Sequence, residues 1–191
     1  MQMQALWDRI EAWLMMNAPE EMFSLQPGAT DQDIREAETA MGIELPDEVR
    51  ASYRIHNGGA LIAEPLDHTF WELLCLEDMV RDWKTYRGFD HGLRAPIQPE
   101  DKVRPQGWHL HWIPLLEDHN RTGQCLCLDL APGPAGQKGQ ILEVEWEDPG
   151  QRPVIVASFQ ALLSTFADHL EAGKYMWNED DGTLDIAQPP L

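Results

Sequence analysis

The sequence predicts an α+β fold in one domain: a mainly antiparallel, twisted sheet packed by N-terminal helices and closed by a C-terminal helix. Three observations carry this. Apolar residues recur at helical spacing as far as Tyr86, the period changes to two from Trp108, and the stretch 158–172 returns to helical spacing. Helices, then strands, then a helix is the order of an α+β chain, not of alternating α/β units. The 191 residues fit one domain, since domains mostly run to about 200 residues.

Taken in order, residues 4–16 form a first helix with Leu6, Ile10 and Trp13 on one face, ending before Asn17-Ala18-Pro19. Residues 20–29 contain Pro27-Gly28 and make a loop. Thr30 caps a helix over 31–41, with Asp31 and Asp33 in its first turn and Gly42 ending it. A third helix spans 47–57. Pro46 suits its start, Asp47 and Glu48 face the positive end of its dipole, and Leu45, Val49, Tyr53 and His56 form its stripe before Asn57-Gly58-Gly59 stops it. Residues 60–63 and 70–74 pair as short strands, and 77–87 form an amphipathic helix with Met79, Val80, Trp83 and Tyr86 in register. Residues 88–107 hold Pro96, Pro99 and Pro105, show no period, and make a long loop.

From Trp108 the strands begin. Trp108, Leu110 and Trp112 fall on one face and His109 and His111 on the other. Leu126, Leu128 and Leu130 alternate with Cys125, Cys127 and Asp129, and Leu142, Val144 and Trp146 alternate with Glu143, Glu145 and Glu147. This predicts antiparallel strands with one face buried and one solvated. Val154–Ala157 adds a strand, and Ser158 caps the closing helix, where Phe159, Leu162, Leu163, Phe166 and Leu170 make an apolar stripe. The expected organisation is an N-terminal helix and loop at 1–29, a domain at 30–175 and an acidic C-terminal tail at 176–191.

Two stretches carry a family resemblance. One is Leu45-Pro46-Asp47-Glu48 followed by His56-Asn57-Gly58-Gly59. The other runs from Trp108 through Trp112-Ile113-Pro114, Cys127-Leu128-Asp129-Leu130 and Pro132-Gly133-Pro134-Ala135-Gly136 to Gly139-Gln140-Ile141. In order and spacing they resemble the SUKH superfamily, which includes a fungal cell-wall assembly regulator and many bacterial immunity proteins. The resemblance covers roughly residues 30–172 and implies a SUKH-like fold, a non-enzymatic protein-binding role and no dependence on metal. One departure is the segment Glu117-Asp118-His119-Asn120-Arg121-Thr122-Gly123, where relatives tend to carry an acidic, glycine-rich turn; specificity there should differ.

Composition limits the function classes. Thirty-three acids against 14 bases give a formal net charge of −19, which disfavours direct binding to a phosphate backbone and favours a basic protein partner. No apolar run approaches the roughly 18 residues of a membrane helix. The N-terminus lacks a basic leader, so a cytoplasmic chain is expected. Three cysteines with no C-x-x-C argue against a disulfide framework, and Cys125 and Cys127 lie two apart on one strand face, where their sulfurs do not readily meet.

No catalytic residue, cofactor site or metal site emerges. No serine sits in G-x-S-x-G. His109 and His111 with Glu117, Asp118 and His119 form the densest ligand-capable cluster, yet they are better read as the solvent side of a strand. The glycine-rich segment 133–139 lacks the G-K-[ST] ending of a phosphate loop. Asp129 suits a structural acid accepting backbone N–H groups from the turn beside it. Glu143, Glu145 and Glu147 align on one strand face about 7 Å apart, extended by Asp148. With Glu117 and Asp118 they are the expected partner-binding residues. The preferred expectation is an immunity protein that neutralises a cognate toxin through this acidic surface. The alternative is a regulator or scaffold of cell-wall or envelope assembly.

Overall fold

The computed structural model describes residues 2–19, 24–63, 65–66, 69–89, 92–118, 124–145, 152–178 and 183–187. Five named helices, α1 (Gln2–Asn17), α2 (Asp31–Met41), α3 (Asp47–Tyr53), α4 (Leu76–Tyr86) and α5 (Phe159–Glu171), accompany a six-stranded antiparallel sheet among these residues. The strands β1 (Leu61–Ala63), β2 (Phe70–Leu73), β3 (Trp112–Asp118), β4 (Cys125–Asp129), β5 (Gln140–Val144) and β6 (Val154–Val156) follow one another in space as in sequence. Helix α5 touches both edge strands, β1 and β6, so the sheet curls about it. Helix α1 packs on α5 and α3, while α4 lies against β3 and carries α2 outside it. One hydrophobic core contains the buried residues of every helix, with Trp7, Trp71, Trp108 and Trp112 buried completely or nearly so.

Local chemistry places the helix ends. Thr30 and Asp33 form a reciprocal capping box on α2, and Gly42 closes that helix in the left-handed region. Ser158 accepts from the Ala161 N–H at 3.1 Å at the start of α5. Helix α3 stops at Tyr53, earlier than expected, and residues 54–55 turn. Its stripe is as the spacing predicts, with Leu45, Val49 and Tyr53 fully buried.

The segment after it works as a fastener. The Tyr53 hydroxyl donates to the Leu74 carbonyl at 2.8 Å. The Asn57 side chain accepts from the Leu76 N–H at 3.0 Å, and its own N–H donates to the Pro27 carbonyl. The starts of α2 and α4 are thus tied beside one residue. Gly59 has φ +84, and a Cβ there would lie 2.0 Å from the Ser24 carbonyl oxygen, so both backbone conformation and space demand glycine.

Four expectations about the strands and the tail are corrected. His109 and His111 precede β3 in a turn, because Trp108 and Trp112 are both drawn into the core with their rings edge-on at 5.8 Å while Leu110 stays exposed. Strand β4 is buried on both faces, and Tyr86 at the end of α4 feels Cys125 and Cys127 on the side expected to meet water. Cysteine packs there as readily as leucine. Cys125 and Cys127 bring their sulfurs to 3.4 Å as free thiols, closer than expected for two residues along a strand. Residues 175–178 and 183–186, placed mostly in the tail by the sequence, pair as a hairpin of β7 (Tyr175–Asn178) and β8 (Thr183–Ile186).

Candidate protein-interaction surface

The side chains of the two sequence motifs are held by their neighbours. Trp7, from α1, donates its indole N–H to Ser52 Oγ at 2.9 Å in the interior. His56 packs its ring edge-on against Trp7, with Nδ1 3.0 Å from the Gln26 carbonyl and Nε2 2.9 Å from Glu11 Oε1. Each ring nitrogen therefore faces an acceptor. Glu48 accepts the Phe159 N–H at 3.1 Å and ties the start of α5 to α3.

Asp129 is fully buried. Its carboxylate accepts from the Ala131 N–H and from Gln140 Nε2, both at 2.9 Å. Gln140 also donates to the Lys102 carbonyl and accepts from the Gln137 N–H. Burial pushes the Asp129 carboxyl above its ordinary range, and the hydrogen bonds from Gln140 and Ala131 oppose that shift. This network joins β4, β5, the glycine-rich turn and the proline-rich segment. Burial, reinforced by the hydrogen bond to Cys125, likewise raises the Cys127 thiol.

The two motifs converge in space. Leu45-Pro46-Asp47-Glu48 lines one wall of a surface cleft, and Leu130 with Gln137-Lys138-Gly139 lines another. A second groove runs between α2 and α4. Asp33, Glu36, Ala37 and Ala40 face it from one helix and Glu77, Val80, Arg81 and Lys84 from the other, each set at i, i+3, i+4, i+7. The sequence shows each stripe, but it does not show that the two helices lie side by side.

The acidic residues expected to bind a partner are dispersed. Glu147 and Asp148 lie outside the described residues. Glu117 sits opposite Cys125, which sits opposite Val144, and all three side chains share one face. Glu143 lies in the next row, with Leu126 and Leu116, on the other face, where Glu145 follows it by alternation. The sheet thus separates Glu117 from the Glu143–Glu145 pair. Glu117 stands directly opposite Glu72, under α4, where its charge acts on Arg81. Asp118 is the last residue of β3 and only 7% exposed. Glu143 and Glu145 are half-buried, and the Glu145 carboxylate accepts from Gln124 Nε2 at 3.2 Å. Among the described residues no three His, Cys, Asp or Glu side chains are grouped as a metal site would need.

Residues 28–165 match the SMI1 / KNR4 family (SUKH-1). The chain belongs to this family. The matched span runs from the turn before α2 into α5, so α1 and the β7–β8 hairpin lie outside it. Three curated relatives are fungal. A glucan synthesis regulatory protein of Neurospora crassa is 26% identical over 220 residues, covering 95% of this chain and 41% of that protein. A cell wall biosynthesis/cell cycle regulator of Schizosaccharomyces pombe is 30% identical over 200 residues, covering 96% and 39%. The cell wall assembly regulator SMI1 of Saccharomyces cerevisiae is 27% identical over 214 residues, covering 92% and 42%. The chain therefore spans about two fifths of the length of these relatives. Their names favour the cell-wall regulator expectation over toxin neutralisation. No helix among the described residues is long and apolar enough to cross a membrane.

Proposed function

We propose that this SUKH-1 chain is a non-enzymatic protein-binding module that regulates cell-wall or envelope assembly. The observation that carries the reading is how its reactive side chains are used. Ser52, Tyr53, His56 and Asp129 are each committed to contacts that fasten one element to another. The relatives named as cell-wall regulators point the same way.

Binding works through the acidic surface. Glu143 and Glu145 lie on one face at the end of β5, and Glu147 and Asp148 continue the sequence beyond it. The net charge of −19 steers a cationic partner toward the molecule. Glu117, on the opposite face beneath α4, and the buried Asp118 stand outside this patch.

The test is cross-linking in the source cells, followed by binding of the purified partner at rising salt. The reading expects a partner that works in wall or envelope synthesis, and affinity that falls with salt and with Glu143→Lys plus Glu145→Lys. A secreted toxin as the cross-linked partner would restore the immunity reading. A wall-synthesis partner whose affinity ignores both salt and charge reversal would remove the acidic surface from the mechanism.

A further inference from the structure

The groove between α2 and α4 encloses about 620 Å³, with an apolar floor and charged rims. Ala37 and Leu76 at its base are buried, Val80 is half-buried and Ala40 is exposed. Both helices start beside the segment that follows α3. Ala29, just before α2, donates its N–H to the Tyr53 carbonyl at 2.8 Å, and the Leu76 N–H that opens α4 meets the Asn57 side chain at 3.0 Å. From there one wall runs from Asp33 to Ala40 and the other from Glu77 to Lys84, each about 10 Å of helix. The two helices therefore run side by side in the same direction, and the groove is about two turns long.

Charge is unevenly placed along it. Asp33, Glu36 and Glu77 stand toward the shared start, and Lys84 stands at the far end. Arg81, between them, is neutralised from within its own helix by Asp78 and Asp82. Asp33 is taken up by the capping box, accepting from the Thr30 N–H at 2.8 Å and from its hydroxyl at 2.7 Å. Glu36 accepts from the neutral Gln32 amide at 2.8 Å. Glu36, Glu77 and Lys84 are all exposed, and none of them enters an ion pair among the described residues.

We propose that this groove receives an amphipathic helix of a partner protein, laid antiparallel to α2 and α4, with basic residues in its last turn beside Glu36 and Glu77 and an acid in its first turn beside Lys84. Shape and charge select this occupant. Ala37 and Ala40 are small enough to let another helix come close, and Val80 gives it an apolar wall; apolar residues at i, i+3 or i+4 and i+7 of the incoming helix fill the space. A second copy of the chain would bring the same hollow to the contact and leave it open. Antiparallel placement sets the negative C-terminal end of the incoming dipole against the positive starts of α2 and α4. An acidic first turn and a basic last turn also stabilise a helix by itself, so what the groove demands is what the incoming helix favours. This occupant presupposes the protein-binding role proposed above but not the acidic patch, since neither Glu143 nor Glu145 lines the groove.

The experiment uses the full chain and three peptides of about 18 residues, long enough to hold a helix in water. The first has a leucine stripe, glutamates in its first turn and arginines in its last. The second has glutamates in place of those arginines, and the third has glutamine in place of the leucines. Binding is followed by amide chemical shifts and anisotropy. The first peptide is expected to bind at least about tenfold tighter than either other, because the second turns attraction at two exposed carboxylates into repulsion and the third loses the apolar contact. Its shifts should fall at 33–40, 57 and 76–84, and a spin label on its last residue should broaden the amides of Glu36 and Glu77 more than that of Lys84. Glu36→Lys with Glu77→Lys should reverse the preference between the first two peptides. Glu36→Lys alone, on the exposed side of α2 and away from both helix ends, should weaken the first peptide several-fold with the fold intact. Glu143→Lys with Glu145→Lys should leave that binding within about twofold, given screening over about 8 Å. No binding at millimolar concentration, equal binding of the three peptides, stronger broadening at Lys84, or an unchanged preference in the double variant overturns the proposal. Shifts confined to 143–145 would speak for the acidic patch alone and overturn the groove. Self-association of the chain through 33–40 and 76–84 would give this face to a second copy and overturn it as well.

Discussion

Replacing Gly136 by alanine should loosen the joint between the glycine-rich turn and the proline-rich segment. A Cβ at this position would lie 2.0 Å from the Lys102 carbonyl oxygen and 2.8 Å from Pro132 Cβ. Ordinary contact begins at 3.4 Å, so one backbone must retreat by roughly an ångström from the other. Overpacking of this kind costs about 1–3 kcal/mol. The same carbonyl accepts from the Gly133 N–H and from Gln140 Nε2, and weakening two hydrogen bonds adds about 0.5–1.5 kcal/mol each. The total is about 2–6 kcal/mol, and at about 2–4 °C per kcal/mol for a chain of this size the melting temperature falls by roughly 10 °C at mid-range. Gly139→Ala is the control. Its φ is +92 but nothing lies within 4 Å of the added carbon, so it carries only the left-handed penalty of about 1–2 kcal/mol. Thermal melts and exchange of the Gly133 amide read both variants. A Gly136→Ala protein that melts no lower than Gly139→Ala, or whose Gly133 amide stays protected, would refute the reasoning.

Ser52→Ala leaves the buried Trp7 N–H without its acceptor and should cost about 1–3 kcal/mol by chemical denaturation; adding Trp7→Phe should cost less than the two single changes summed. Arg9→Ala removes ion pairs with Asp168 and Glu171, whose side chains are 62% and 50% exposed, so a loss of no more than about 1 kcal/mol, fading at high salt, is expected in melts at two ionic strengths. Stability against pH should show two opposite contributions. Arg54, Arg50 and Arg9 hold the carboxyls of Asp31, Glu44 and Glu171 below their ordinary values of 3.8 and 4.5, so that stabilisation is present above those values and lost as pH falls through the folded pKa. Asp129 is raised, so its contribution is present below 3.8 and lost as pH rises through its folded pKa. The melting temperature of Asp129→Asn minus that of the unchanged chain should therefore rise between pH 4 and 7, and a flat or falling difference would contradict it.

Much of the fold is legible in the sequence because its signals are local. Thr30 with Asp33, Ser158, the stripe Leu45-Val49-Tyr53 and the period-two runs act over a few residues, and they place the start of α2 and of α5 and the buried stripe of α3, while α3 ends sooner and β3 begins later than expected. The two family stretches identify the fold for the same reason: their glycines and polar side chains answer steric and hydrogen-bonding demands that any sequence with this chain path must meet. Asp129 as a structural acid is legible in the same way, from a carboxylate set beside a turn.

What tertiary structure alone decides is which residues meet and which are covered. Alternation along β4 predicts one solvated face, but alternation reports only that neighbouring side chains point to opposite sides, and the packed chain buries both sides of this strand. Glu117 and Glu143 look like members of one acidic surface, and register places them on opposite faces of the sheet. Arg94, Lys102, Arg104 and Arg152 are scattered over nearly 60 residues and carry no pattern along the chain, yet they line one pocket. Periodicity is a property of the chain; charge clustering across distant segments is a property of the packed molecule, fixed by strand register and by the close approach that Gly136 permits.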